Sequence, residues 1–187
     1  MKRIALLILL LMLVAGCAAR GRIAEDRADN AVTFTRADTG RSVTVTLGPD
    51  LTYDKRVHRD FMGAQIDGWL YRAEDGTSVL VSSLPRAEFE DLIGRSMQAP
   101  SYGFKAYPPQ TSWLPRLCQL VRAYVVSVDS DVVAAVKFGP RPEGECDGLI
   151  DNDQYMAAHF DEVAEFDRRA DADIVIDWRE NEALSAI

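Results

Sequence analysis

Two stretches of strict alternation constrain this chain most. Val32 and Phe34 alternate with Thr33 and Thr35, and Val43, Val45 and Leu47 alternate with Thr44 and Thr46. A period of two puts one row of side chains on a core and the other towards solvent, the pattern of a half-buried strand. Ala37-Asp38-Thr39-Gly40 lies between them and supplies turn chemistry, so residues 31–47 read as a hairpin. Gly48-Pro49-Asp50 closes its second strand. Ala64 to Arg72 and Thr77 to Ser83 form a second hairpin around Glu74-Asp75-Gly76. Gln119 to Val128 and Val132 to Phe138 form a third around Asp129-Ser130-Asp131. Its apolar density predicts central strands.

Helical signals are fewer. Ser82 or Ser83 is the expected cap of a helix with Pro85 in its first turn. Phe89, Leu92, Ile93 and Met97 share a face of that helix, and Gly94 is a candidate early end. Met156, Phe160, Val163 and Phe166 predict a second helix over 153–170, and Ile174-Val175-Ile176 a last strand. Residues 99–115 hold Pro100, Pro108, Pro109 and Pro115, which forbid a long helix and read as a loop. Residues 51–62 give no clear pattern. The expected fold is α+β: a mostly antiparallel sheet built from hairpins, with two helices on one side. Residues 64–106 and 118–178 share an order of hairpin, helix and extended piece, which raises a duplication.

Composition sets outer limits. The chain has 187 residues, 48% hydrophobic and 27% charged, which suits one folded domain. Its formal charge is −8, opposite to the basic excess that nucleic-acid binding requires.

The first residues have a different character. Lys2 and Arg3 precede an unbroken apolar run from Ile4 to Ala15. The run is too short for a membrane-crossing helix, which takes about 20 residues, and matches a signal-peptide core. Val14-Ala15-Gly16-Cys17 resembles the lipobox of bacterial lipoproteins. The resemblance implies cleavage before Cys17, diacylglycerol on its thiol, and acylation of the new amino terminus with chains such as palmitate. Two or more chains anchor a protein stably. In that class Asp after the cysteine favours the inner membrane; Ala18 stands there, which implies the periplasmic face of the outer membrane of a Gram-negative bacterium. The expected organisation is a signal peptide at 1–16, the lipidated cysteine and a short tether at 17–30, a single periplasmic domain at 31–178, and a frayed tail at 179–187. Arg20 and Arg22 read as solvated linker charge. Losing Lys2 and Arg3 with the signal peptide takes the net charge to −10.

Cys118 and Cys146 are then an even pair in an oxidising compartment, and the expectation is one disulfide across the open end of the third hairpin. Loop closure over that separation is worth roughly 3–4 kcal/mol. No C-x-x-C argues for a redox pair.

Three patterns bear on chemistry. Glu143 to Gln154 resembles an EF-hand-type loop, with Glu143, Glu145, Asp147 and Asp151 as oxygen donors for Ca²⁺ and Gly148 at the sharp turn. It departs at position 12, where Gln154 replaces the bidentate carboxylate, and Pro140 and Pro142 stand where a helix should precede. The plainer reading is an acidic turn leading into a helix, whose positive N-terminus favours Asp151 and Asp153. Tyr102, Phe104, Tyr107 and Trp113 form an aromatic cluster suited to anchoring a partner, or simply to packing over the sheet. No G-x-S-x-G elbow, S-x-x-K or phosphate-cradling glycine loop is present. His58 and His159 are the only histidines.

The leading expectation is therefore a non-enzymatic, membrane-anchored lipoprotein that binds a protein partner as an accessory or assembly factor of the cell envelope, with no nucleic acid and no cofactor. The rival is a lipoprotein that binds a small ligand or Ca²⁺. A hydrolase whose triad assembles only in space is the third.

Overall fold

The computed structural model describes residues 23–61, 64–94, 96–98, 102–141 and 150–180. Its strands are β1 (Ile23–Ala28), β2 (Ala31–Arg36), β3 (Ser42–Leu47), β4 (Thr52–Phe61), β5 (Ala64–Arg72), β6 (Ser78–Pro85), β7 (Phe104–Leu114), β8 (Gln119–Val128), β9 (Asp131–Phe138) and β10 (Ile174–Arg179). Its helices are α1 (Arg86–Ile93), α2 (Asn152–Ala158) and α3 (Phe160–Asp173). The architecture is α+β and mostly antiparallel. Among the described residues, no helix is long and apolar enough to cross a membrane.

The threonine alternation folds as its period dictates. Val32 lies opposite Val45 and Phe34 opposite Val43. All four side chains are buried. The threonines take the other face, where the Thr33 and Thr44 hydroxyls lie 3.0 Å apart. A four-stranded sheet of order β1-β2-β3-β10 results. The other sheet has six strands in the order β4-β5-β6-β9-β8-β7. The main core fills the space between the sheets and joins Val32, Phe34 and Val45 to Tyr71, Val81 and Val133. A second cluster of Trp113, Leu120, Tyr155, Val163 and Phe166 lies under α2 and α3.

Several elements differ from expectation. Residues 23–28, placed in the tether, form β1. Glu25 and Arg27 fix it to the larger sheet: Arg56 Nη1 lies 2.6 Å from Glu25 Oε2, and the Arg27 guanidinium lies 4.2 Å from the centre of the Tyr53 ring. Its charged residues hide a strand because an edge strand needs little apolar surface. The folded domain thus includes residues 23–30, which the expectation gave to the tether. Residues 1–22, with Cys17, lie outside the described residues, and so do residues 181–187 of the expected tail, whose first residue, Arg179, ends β10. Residues 52–61 form the outer strand β4, also masked by charge.

Residues 104–114 form β7 and not a loop. β7 is the other edge strand, and Pro108 and Pro109 sit where its register with β8 shifts between Tyr107 and Gln110. Proline donates no hydrogen bond, so an edge and a bulge are where a sheet tolerates it.

The helices also differ in number and placement. Ser82 and Ser83 belong to β6, whose ladder with β9 runs to Pro85. Pro85 then caps α1 without a side-chain bond, and Gly94 ends it in the left-handed region at φ 65°. The expected helix over 153–170 is two helices broken at His159. Among the described residues, the two-helices-on-one-side arrangement is replaced by three helices on both faces of the larger sheet. α2 and α3 join the smaller sheet on the inner face. α1 meets β5, β6 and β9 near Ser82, Leu84 and Val132, which are buried on the outer face.

The larger sheet is two three-stranded antiparallel meanders side by side. β4-β5-β6 followed by α1 and β7-β8-β9 followed by α2 and α3 meet at the β6–β9 pair. Each outer pair shifts register just after a tyrosine, Tyr53 in one and Tyr107 in the other. Each triplet of strands starts one strand earlier than the hairpins at 64–83 and 119–138 that suggest a duplication.

Candidate functional site

β9 is buried on both faces from Val132 to Ala135, and its inward row ends on a charge: Val133, Ala135, then Lys137. A buried ammonium must be paired. Lys137 Nζ donates to Asp173 at the end of α3, and it lies 6.0 Å above the Phe166 ring. This pair forms one wall of a cleft of about 610 Å³ between α3 and the ends of β6 and β9. Trp113, Leu120, Tyr155 and Phe166 make its apolar end, and Arg141 and Arg169 stand at its rim.

The apolar end is organised by three stacked rings. Trp113 and Tyr155 are 3.8 Å apart and 1° from parallel, and His159 follows Tyr155 at 4.2 Å and 13°. The Tyr155 hydroxyl donates to Glu162 Oε1 at 3.0 Å, and His159 Nδ1 lies 3.1 Å from Glu162 Oε2. Burial first, and the Glu162 acceptor second, push the Tyr155 phenol up to about 12. A phenol held that high stays protonated at neutral pH and serves here as a structural donor. His159 is partly exposed and has a glutamate, with no Ser, Thr or Cys hydrogen-bonded to it among the described residues. His58 is exposed on β4 opposite Asp67.

The structure disperses the aromatic cluster. Trp113 is only 7% exposed and belongs to the stack. Phe104 packs against the main core. The Tyr107 hydroxyl donates to the Gln98 carbonyl at 3.4 Å. Only Tyr102 is open to solvent, 77% exposed. The four residues thus form no single exposed patch, because strand alternation sends neighbouring rings to opposite faces.

Of the proposed oxygen donors, Glu143, Glu145 and Asp147 lie outside the described residues. Asp151 caps α2, accepting from the Gln154 amide at 2.8 Å. Among the described residues no three metal-binding side chains cluster. Cys118 is buried at φ 52° in the turn after β7, with its Sγ 3.2 Å from the Pro115 carbonyl. Cys146 lies outside the described residues.

Sequence reasoning missed a second surface. On the outer face of the larger sheet, Leu70, Leu80, Val136 and Ala123 lie directly opposite one another across β5, β6, β9 and β8. Phe138 and Val121 form the next row. α1 and the Met97–Gln98 segment cover the far end of this face, and these two rows are only partly buried apart from buried Val121. The available signal was that Leu70, Leu80 and Val136 are apolar at the positions where a solvent-facing row should be polar. Comparison with protein-family models, curated proteins and solved structures finds no match to this chain.

Proposed function

We propose that this chain is a membrane-anchored lipoprotein of the cell envelope whose domain docks a protein partner on the outer face of the six-stranded sheet. The anchor rests on the lipobox at Cys17, and the expected location is the periplasmic face of the outer membrane. The observation that carries the docking role is the apolar row Leu70–Leu80–Val136–Ala123, with Phe138 beside it, whose side chains are only partly buried on the outer face. Apolar side chains gathered on an open sheet face mark interaction surfaces more often than scattered ones do.

Photo-crosslinking in intact cells tests this. A benzophenone amino acid at Leu80 or Phe138 is expected to give discrete adducts that the same probe at Thr46, on the exposed side of the smaller sheet, does not. Equal adducts at all three positions, or none on the row, overturn the docking role. The anchor is tested separately by Cys17→Ala, which should move the protein from the membrane to the soluble fraction.

A disulfide between Cys118 and Cys146 belongs to the same reading. Cys118 sits in the turn that joins β7 to β8, so the bond would tie that turn to the approach to α2. A non-reducing digest that recovers both thiols free sinks it.

The cleft beside α3 favours a second reading, a binding site for a small anionic ligand with an apolar body. Arg141 at its rim has no ion-pair partner among the described residues, and Phe166 and Leu120 supply apolar wall. Ca²⁺ at the acidic run is the remaining form of that alternative. Calorimetric titration with Ca²⁺ that releases no heat removes it.

A further inference from the structure

The lipoprotein reading leaves open which end of the domain meets the bilayer, and the inference here rests on that reading. Six Cα steps separate Cys17 from Ile23, so the chain between them reaches at most about 20 Å. The surface around Ile23 is therefore held close to the headgroups.

The register identifies what shares that end. Ile23 lies opposite Arg36, and Ser42 lies opposite both Thr35 and Arg179. The β2–β3 turn and the end of β10 are thus at the same end as Ile23. A buried ion network adds the β8–β9 turn. Arg41 Nη1 lies 2.6 Å from Asp129 Oδ1, and Arg36 Nη1 donates to the Ser130 hydroxyl at 2.9 Å. The Gly103 amide also donates to Asp129 at 2.7 Å, which fixes Tyr102 beside this turn. Trp178, 47% exposed, is the last aromatic of β10, one residue before Arg179.

The end nearest the anchor therefore carries two exposed aromatic side chains, Tyr102 and Trp178, on a framework locked by ion pairs. Tyr and Trp are the side chains that settle at a membrane–water interface, where the ring meets acyl chains and the polar tip meets headgroups. The charges nearby do not form a basic patch: Arg179 is exposed, but so are Asp38 and Glu180. Attraction to anionic lipid is not what this end offers.

We propose that the Ile23 end of the domain lies flat on the bilayer, with Trp178 and Tyr102 seated in the headgroup layer. The domain is then docked on its membrane, not merely tethered to it. This orientation keeps the outer face of the six-stranded sheet at the side of the docked domain, open to a partner.

The test uses the full lipidated chain in phosphatidylcholine vesicles whose acyl chains are brominated near the headgroup end. Bromine is expected to quench part of the tryptophan emission, and Trp178→Phe is expected to abolish that part, because Trp69 and Trp113 are packed in the fold. Adding Tyr102→Trp to the Trp178→Phe chain is expected to restore quenching. Quenching that is absent, or identical in wild type and Trp178→Phe, overturns the docked orientation. Flotation of the vesicles reads the anchor independently. A chain that floats without Trp178 quenching keeps the anchor and loses the orientation. A Cys17→Ala chain that floats as well as the wild type removes the anchor reading.

Discussion

Arg36 and Asp129 face each other 3.4 Å apart, both side chains more than nine-tenths buried, at the place where the turn of one sheet meets the turn of the other. Asp129 also accepts from Arg41 and from the Gly103 amide, and it holds a backbone φ of 54°. Removing one member of such a network leaves buried charge and a buried amide without partners, which typically costs 3–5 kcal/mol. Asp129→Ala is therefore expected to destabilise the domain by about 3–5 kcal/mol in urea unfolding. A loss below about 1 kcal/mol, the range of exposed ion pairs, would mean the network is solvated and does not lock the sheets.

Trp113 and Tyr102 should separate cleanly in a stability measurement. Trp113 fills the second core under α2, and truncating a buried aromatic costs about 3–5 kcal/mol. Tyr102 touches mostly solvent, so Tyr102→Ala should fall within about 0.5 kcal/mol of the wild type. Thermal melts of the two variants check this. Similar losses from both would contradict the division of the aromatic cluster into one buried and one exposed ring.

The fold was legible where a period carried it. The hairpin at 31–47 and the strands Gln119–Val128 and Asp131–Phe138 lie where alternation and turn residues put them. β7 was not legible because its prolines argue for a loop, and β4 and β1 were not legible for a different, shared reason. Residues such as Asp54, Lys55, Arg56 and Glu25 stand where an edge needs solvation and ion pairing, and no apolar rhythm survives there. The break at His159 escaped because Met156, Phe160, Val163 and Phe166 keep a helical spacing across it, although Phe160 is 71% exposed. Of the candidate surfaces, the cleft and the outer-face row both join residues far apart in sequence. Lys137 meets Asp173, and Leu70 meets Ala123 through two intervening strands. Strand order decides such meetings, and a single sequence does not contain it.

At Gly68 the neighbouring strand leaves no room for a side chain. A Cβ there would lie 2.8 Å from the Val81 carbonyl oxygen and 2.9 Å from the Leu80 side chain. Leu80 belongs to the outer-face row, so the clash reaches the proposed docking surface. Gly68→Ala is expected to cost about 1–3 kcal/mol, the range for overpacking. It should also lower any photo-adduct yield from position 80 in chains that remain folded. An alanine variant as stable as the wild type would show that β5 and β6 separate more easily than this packing implies.

Acid should destabilise the domain in a window set by four carboxylates. Burial raises Asp75, but hydrogen bonds from the Thr77 amide and hydroxyl outweigh it and leave this carboxyl below the usual aspartate value. A hydrogen bond from Arg36 holds Asp38 below the usual aspartate value, and one from Arg56 does the same for Asp67. Arg168 and Arg169 hold Glu165 at about 2. For groups lowered in the fold, the unfolded chain binds protons first as pH falls. Their stabilisation is complete above the unfolded values of 3.8 and 4.5, and it drains away as pH drops through the lower folded values. Asp131 works the other way: burial raises it, so its proton binds the folded state first and offsets part of the loss. Unfolding followed by circular dichroism should therefore show a stability plateau above about pH 5 and a steep decline below about pH 4. Asp67→Asn removes one of the four lowered groups, so its decline should be shallower than that of the wild type while the plateau is lower. An equally steep acid limb in Asp67→Asn would place the titrating load elsewhere.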